Sequence, residues 1–159
     1  MAERVHHYAV QVEWTGNTGS GTSGYTTYER SHRISSGAKT AIEGSSDPLF
    51  RGDAAHWNPA ELLIASLSAC HQLWYLHLCA VNKVRVLEYR DAARGIEAEH
   101  ADGSGEFSRV VLRPEVLIAE GCDPEKALAL HHDAARMCFI ARSVNFTVEH
   151  EPTVRVAAA

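Results

Sequence analysis

The sequence predicts one α+β domain over residues 1–159. Segments that alternate apolar and polar residues, as half-buried strands do, recur from the N-terminus to the C-terminus. Two segments with an Asx-Pro start carry longer apolar patterns typical of helices. No repeat or domain linker interrupts the chain, so we expect three strands, a helix, a hairpin, a second helix and a last strand to share one fold.

The N-terminal part predicts a β-meander. Residues 8–14 alternate as a strand does, and residues 25–34 and 39–43 predict two further strands. The intervening segment 15–24 is rich in Gly, Ser and Thr, which is typical of a loop. It lacks the lysine and the glycine spacing of nucleotide-binding loops, so we do not interpret it as a phosphate site.

A strong helix start follows an irregular connector. Asn58 is a good N-cap, Pro59 is a favourable first helical residue, and Glu61 places a carboxylate at the positive end of the helix. The helix is predicted to run to about Ala80, with Asn82 closing it.

The apolar run 62–81 approaches the length of a membrane span. His71, Gln72 and His77 interrupt it, and polar side chains are costly at mid-bilayer depth. A helix that is apolar on every face is also typical of a protein core. The sequence therefore predicts a long buried central helix and no membrane association.

The second half of the chain predicts a β-hairpin, a helix and a strand. Residues 84–100 and 106–119 are strand-like and flank an Asp-Gly-containing turn. The second helix is expected over about 124–137, and residues 144–156 alternate again. Pro152 interrupts this last segment, which indicates an edge strand or a bulge.

Composition excludes several function classes. The formal net charge is -5 and the pI about 6.0, with no basic run, so nucleic acid is not an expected partner. The first residues lack the apolar segment of a secretory signal, which predicts a cytoplasmic protein. Cytoplasmic cysteines are usually reduced, and the chain has four: Cys70, Cys79, Cys122 and Cys138. No CxxC zinc spacing is present.

Two of these thiols occupy informative positions. Cys70 lies midway along the first helix, and Cys138 ends the second. On a helical wheel, one stripe of the first helix contains Leu63, Leu67, Cys70, Trp74 and His77, whereas Cys79 falls on the opposite side. Each thiol is either an inert core residue or, if a cation stabilises its thiolate, a nucleophile. The candidate cations are Arg51, His56, Arg136 and Arg142.

At this point the residues resemble the superfamily of osmotically inducible proteins and organic hydroperoxide resistance proteins, the OsmC/Ohr thiol peroxidases. Asn58-Pro59-Ala60-Glu61-Leu62-Leu63 followed by Ser68-Ala69-Cys70 is similar to the family's Asn-Pro helix with its peroxidatic cysteine. Met137-Cys138 and the following strand are similar to its resolving-cysteine segment. The order of elements matches over nearly the whole chain.

The resemblance implies an intertwined homodimer that reduces organic hydroperoxides. On that basis Cys70 attacks the peroxide and forms a sulfenic acid, which Cys138 resolves as a disulfide. A dithiol, such as a lipoylated protein, supplies the electrons. The resemblance implies neither a metal nor a flavin cofactor.

The sequence also departs from the family pattern. Ala60 stands where the family has an acidic residue that pairs with an arginine, and Glu61 is the nearest carboxylate. Arg51 is the best match to that arginine, with Arg30 and Arg33 as alternatives. Phe139 replaces a frequent proline after the resolving cysteine.

Two other functions compete with the peroxidase. The ten histidines suggest a metal site, but His71 and His77 lie about 240° apart on one helix, so they do not converge. The adjacent pair His131 and His132 diverges likewise. The second alternative is a member of the same fold that binds a small hydrophobic ligand or serves a structural role, which the missing carboxylate at Ala60 favours.

Overall fold

The structure, a computed structural model, describes residues 4–158. It has nine strands and two α-helices among these residues, which confirms the predicted α+β class. Internal contacts divide the chain into two compact units, residues 1–62 and 63–159. Whether they act as one domain stays a prediction.

The first unit contains the predicted β-meander. Its strands β1 (Gln11–Trp14), β2 (His32–Ser35) and β3 (Ile42–Gly44) pair antiparallel in the order β1-β2-β3. The strands are shorter than predicted, because residues 25–31 form turns and not a strand. Arg30 stabilises this departure, since its guanidinium packs on the rings of Tyr25 and Tyr28 and donates to both of their backbone carbonyls.

Helix α1 (Pro59–Val81) begins where the sequence predicts it. Asn58 and Glu61 form a capping box: Asn58 Oδ1 accepts the Glu61 N–H at 2.9 Å, and Glu61 Oε2 accepts the Asn58 N–H at 3.1 Å. Four further residues, each one helical turn from the next, are buried and form a single stripe, the α1 stripe: Leu67, His71, Tyr75 and Cys79.

The predicted long central helix is confirmed, and within this chain it is covered on one side only. Leu73 is 68% exposed and Val81 is 62% exposed, because the neighbouring elements cover one side of the helix. The predicted stripe was also displaced, since Cys70, Trp74 and His77 lie beside the buried face and not at its centre. By length and hydropathy α1 could cross a membrane, a test that core helices of soluble proteins also pass.

The β-strands of the second unit form two three-stranded sheets, ordered β4-β7-β9 and β5-β6-β8. Their bounds are β4 Val86–Asp91, β5 Arg94–Glu99, β6 Gly105–Leu112, β7 Pro114–Ile118, β8 Thr147–His150 and β9 Thr153–Val156. The predicted hairpin is confirmed by the antiparallel β5–β6 pair. The prediction that β8–β9 is interrupted at Pro152 and lies at a sheet edge is also confirmed.

Each long strand predicted for the hairpin is in fact two strands in different sheets. The interruptions fall after Asp91 and at Arg113, where the Asp91 carboxylate accepts the Arg113 N–H at 2.7 Å. The same carboxylate accepts a hydrogen bond from the Ser68 hydroxyl of α1. Asp91 thus gives the Arg113 N–H a hydrogen-bond partner at the point where the strand pairing is interrupted.

Helix α2 (Pro124–Met137) also matches its prediction. The Asp123 carboxylate caps it by accepting the backbone N–H groups of Glu125 and Lys126. Its buried face packs with α1 and the β4-β7-β9 sheet in a core cluster that includes Tyr75, Val116 and Leu130. A second cluster forms around Leu67 where α1 meets β6.

Three histidines from three elements meet in the interior of the second unit. His71 of α1 is fully buried, His131 of α2 is 2% exposed, and His150 of β8 is partly buried. His71 Nε2 and His131 Nδ1 are 3.0 Å apart, and the rings of His71 and His150 have centroids 4.6 Å apart. Tyr75 stacks on His131 with centroids 3.7 Å apart. We call His71, His131 and His150 the histidine cluster.

Burial keeps the histidine cluster neutral. Desolvation is the main cause that lowers the pKa of His71 to about 4 and that of His131 to about 3. The pKa of His150 is lowered too, chiefly by burial, although the nearby Asp91 carboxylate opposes the shift. Each ring therefore carries one proton at neutral pH and has one nitrogen donor and one acceptor.

These pKa values make stability dependent on pH. Below about pH 6.5 the histidines of the unfolded chain bind protons, whereas folded His71 and His131 stay neutral down to about 4 and 3. Because the unfolded state then binds more protons, the free energy of unfolding should fall between pH 6.5 and pH 4, by on the order of 1 kcal/mol per pH unit for each histidine. Urea unfolding at pH 7.5 and pH 5 measures this slope.

The double variant His71→Leu/His131→Leu provides the matched comparison. It should show a shallower loss of stability between these pH values, because the two titrating groups are gone. An equal slope in both proteins would contradict the assignment of the effect to this pair.

Candidate active site

The two cysteines that the sequence singles out lie together in the second unit. Cys70 is on α1 and half-buried, whereas Cys138 caps the C-terminus of α2 and is 1% exposed. Their side chains are close enough to interact, and this interaction is one cause of the shifted pKa of Cys138. We call Cys70 and Cys138 the thiol pair. Sequence distance gave no evidence for this contact, which follows from packing α2 against α1.

The surroundings of the thiol pair make its members chemically different. Burial is the main cause that raises the pKa of Cys138 to about 11, and the interaction with the Cys70 side chain raises it further. The N–H of Ala141, which donates to Cys138 Sγ at 3.4 Å, acts in the opposite direction. Cys138 is therefore a protonated thiol at neutral pH, and Cys70 is the sulfur that an external reagent can reach.

An apolar surface adjoins the thiol pair. Trp74, one turn after Cys70, packs against Phe139 with ring centroids 5.9 Å apart. Leu73, Trp74 and His77 line an open pocket of about 250 Å³ on the exposed side of α1. Trp74 and Phe139 make this surface aromatic.

Arg51 occupies a distinctive position in the first unit. It ends a short 3-10 helix (Pro48–Phe50) in the left-handed conformation, with φ 64°. Its exposed side chain lines an open polar pocket of about 470 Å³ together with Arg30 and Asp53. No ion pair involves Arg51 among residues 4–158.

The alternative arginines are already engaged. The guanidinium of Arg30 is held by two tyrosine rings and two carbonyl oxygens, and Arg33 forms an ion pair with Glu43 at 2.7 Å. Glu61 is engaged as well, through the capping box with Asn58. Of these candidate arginines, Arg51 is thus the one whose charge is used in neither an ion pair nor a stacking contact among the described residues.

The remaining cysteines lie elsewhere. Cys79 and Cys122 pack in the core cluster around Tyr75, and burial raises the pKa of Cys79. A buried thiol with a raised pKa is protected from an external peroxide, and Cys79 lies on the side of α1 away from Cys70. Cys79 therefore fits the structural role that the sequence left open for each cysteine, and Cys122 accepts the backbone N–H of Arg85 at 3.4 Å.

The contact between His71 and His131 was not predicted. Histidines within one helix diverge, whereas these two converge from different helices. The signal available in the sequence was that His71 directly follows Cys70 and that His131 precedes Cys138 by two helical turns on the second predicted helix. Within the described part of the chain, no group of three or more His, Cys, Asp or Glu side chains is arranged to hold a metal ion.

Known structures share this architecture. An OsmC-like protein of unknown function from Vibrio cholerae is 28% identical, with a TM-score of 0.85 over 94% of this chain and 100% of that chain. An organic hydroperoxide resistance protein from Elizabethkingia anophelis is 16% identical, with a TM-score of 0.70 over 98% and 100%. The organic hydroperoxide resistance protein OhrB of Bacillus subtilis is 17% identical, with a TM-score of 0.60 over 94% and 98%.

No curated protein matches the sequence. The family model described as OsmC-like protein matches residues 52–153, which include α1, α2 and both members of the thiol pair. This match spans well over half of the sequence, and it agrees with the resemblance found in the two cysteine motifs. The chain belongs to the OsmC-like protein family.

Proposed function

We propose that the protein is a thiol-dependent peroxidase that reduces organic hydroperoxides. The observation that carries the proposal is the proximity of the Cys70 and Cys138 side chains, of which the first is half-buried and the second is buried with a raised pKa. A peroxidase of this type needs one thiol that a peroxide can reach and a second thiol within bonding distance of it. Structural neighbours named organic hydroperoxide resistance proteins share the fold, which supports the substrate class.

The reaction balances over two steps. The Cys70 thiolate attacks one peroxide oxygen, so an S–O bond forms, the O–O bond breaks, and the leaving alkoxide takes a proton to become an alcohol. Cys138 then attacks the Cys70 sulfur, so the disulfide forms and the hydroxide of the sulfenic acid leaves with the Cys138 proton as water. A dithiol, such as one carried by a lipoylated protein partner, reduces the disulfide by thiol exchange.

The family resemblance assigns the role of the thiolate-stabilising cation to Arg51, and Glu61 is the nearest carboxylate to the family's acidic position. Arginine stays charged in proteins, so it can stabilise a thiolate at any physiological pH. Arg51 is the best candidate because its side chain has no ion-pair partner among the described residues.

We also propose a homodimer. The side of α1 opposite its buried stripe is apolar and exposed, with Leu73 and Val81 both more than 60% exposed. Contiguous apolar surface of this kind is typical of protein interfaces. A second copy of the chain would cover it and narrow the pocket beside Trp74.

A second candidate function is the binding of a small hydrophobic ligand without turnover. Two observations favour it: Ala60 replaces the acidic residue that the family resemblance leads one to expect, and the pocket at Leu73, Trp74 and His77 is apolar. Consumption of cumene hydroperoxide or tert-butyl hydroperoxide in the presence of a dithiol separates the two functions. Its absence, with ligand bound at the pocket, would favour the alternative.

The disulfide assignment is tested by peptide mapping. One equivalent of hydroperoxide should produce the Cys70–Cys138 disulfide and leave Cys122 free for alkylation in the unfolded protein. Cys70→Ser should abolish turnover, whereas Cys138→Ser should consume one equivalent and then stop or overoxidise. Cys122→Ser is the control and should turn over normally. A disulfide through Cys79 or Cys122 would refute the assignment.

The role of Arg51 is tested by the pH dependence of Cys70 alkylation. Arg51→Ala should slow both the alkylation of Cys70 at neutral pH and the reduction of peroxide, because loss of a nearby cation makes the reactive thiolate less favourable. Glu61→Gln keeps an acceptor for the helix cap and should have a smaller effect. Arg33→Ala is the control, since that guanidinium is paired with Glu43. An unchanged profile in Arg51→Ala would move the role to Arg30, Arg33 or a cation of the partner subunit.

Assembly is tested by sedimentation. The wild-type protein should sediment as a dimer at micromolar concentration, and Leu73→Glu should dissociate it because the change buries a charge at the interface. Leu87→Glu, at an exposed leucine of β4, is the matched control. A folded wild-type monomer at that concentration would contradict the proposal.

A further inference from the structure

The two helices that supply the thiol pair are joined by one buried hydrogen bond. His71 Nε2 of α1 and His131 Nδ1 of α2 are 3.0 Å apart, and the two rings are within 9° of parallel. Among the described residues, no other hydrogen bond links a side chain of 59–81 to a side chain of 124–137. The core cluster that also joins these helices is mainly apolar, and apolar packing has little directional preference.

The positions of this histidine pair relate it to the thiol pair. His71 directly follows Cys70 on α1, so the two side chains share the same turn of the helix. His131 precedes Cys138 by about two turns, on nearly the same side of α2. A bond that fixes His71 against His131 therefore fixes how α1 is rotated toward α2, and with it the distance between the two sulfurs.

The hydrogen bond is also specific in its chemistry. Both rings are neutral because burial opposes their protonation, so one ring nitrogen donates and the facing nitrogen accepts. His131 is held further by the stacked ring of Tyr75, and His71 by the ring of His150. These contacts restrict the rings to the orientation in which the bond forms.

We propose that His71 and His131 are positioning residues that hold Cys70 and Cys138 at disulfide-bonding distance. The inference rests on the redox role proposed for the thiol pair. By holding the two helices together, the histidines raise the effective concentration of one thiol at the other. Neither histidine reacts with the peroxide. Their effect is confined to formation of the disulfide.

The experiment measures the disulfide equilibrium with glutathione. In this reaction the protein dithiol and oxidised glutathione exchange to give the protein disulfide and two reduced glutathiones, so no hydroperoxide is needed. Trapping of thiols at a series of glutathione ratios gives the effective concentration of the pair. In parallel, the rate of sulfenic acid formation and the rate of its conversion to disulfide are followed separately after a pulse of hydroperoxide.

The variants separate loss of the bond from loss of the fold. His71→Leu/His131→Leu removes both partners together, which leaves no unpaired polar nitrogen behind. His71→Gln and His131→Asn retain a polar atom near the position of the nitrogen that bonds, Nε2 and Nδ1 respectively. His132→Asn, at the exposed neighbour of His131, is the control.

We expect the double leucine variant to lower the effective concentration about fivefold to tenfold, the factor that a hydrogen bond of ordinary net strength supplies. Conversion of sulfenic acid to disulfide should slow by the same factor, while sulfenic acid formation keeps its wild-type rate. The Gln and Asn variants should recover most of the loss, and His132→Asn should match wild type. A purely structural role would not produce this division between the two rates.

Wild-type values in the double leucine variant would overturn the positioning role. Equal slowing of both rates would overturn it too, since it would indicate general damage to the site. A normal glutathione equilibrium in a wild-type protein that consumes no hydroperoxide would overturn the proposed peroxidase and leave the positioning role standing. A wild-type protein that forms no Cys70–Cys138 disulfide would overturn both.

Discussion

The four-residue period of the α1 stripe constrains the whole second unit. Leu67 packs in the cluster with β6, His71 bonds to α2, and Tyr75 and Cys79 pack in the cluster with β7 and α2. One stripe of side chains therefore holds both sheets and the second helix. Cys70 lies one residue, or about 100° of helix rotation, away from this stripe. It is therefore anchored by its neighbour and still open to a reagent.

Three cysteines of this unit lie in three different environments, because their burial and hydrogen bonding differ. Cys79 is enclosed by apolar side chains, Cys138 is buried but receives the Ala141 N–H, and Cys70 is half-buried. A peroxidatic and a resolving thiol need this difference in burial. The buried, protonated thiol resists oxidation by peroxide but attacks an adjacent sulfenic acid. Position in the fold, and not residue identity, distinguishes the three.

Local signals in the sequence predicted the helices well. Asn58 with Pro59 and Asp123 with Pro124 act within a few residues, so the starts of α1 and α2 agree with the structure. The interruption of the long strands after Asp91 was not predicted, because it depends on Ser68 and Arg113, which are distant in sequence. The extent of burial of α1 was not predicted for the same reason.

The candidate site likewise contains residues that the sequence predicted and a contact that it did not. Cys70 and Cys138 were identified from their motifs, and the structure brings them into contact. The bond between His71 and His131 was missed, since a helical wheel treats one helix at a time and the contact needs two. The bond from the Asn58 N–H to the Glu61 carboxylate was not predicted either, since Glu61 was related to the positive end of the helix and not to Asn58.

The two sulfurs also differ in how freely their backbone can adjust. Cys70 lies in the middle of a continuous helix, where a shift of one residue disturbs hydrogen bonds on both sides. Cys138 lies just past the end of α2 with an extended backbone (φ -68°, ψ 110°), and a short 3-10 turn follows at Ala141–Ser143. A change in sulfur separation during a redox cycle would thus be absorbed by residues 138–143. On this basis α1 holds Cys70 in place, and the backbone that follows α2 allows Cys138 to move.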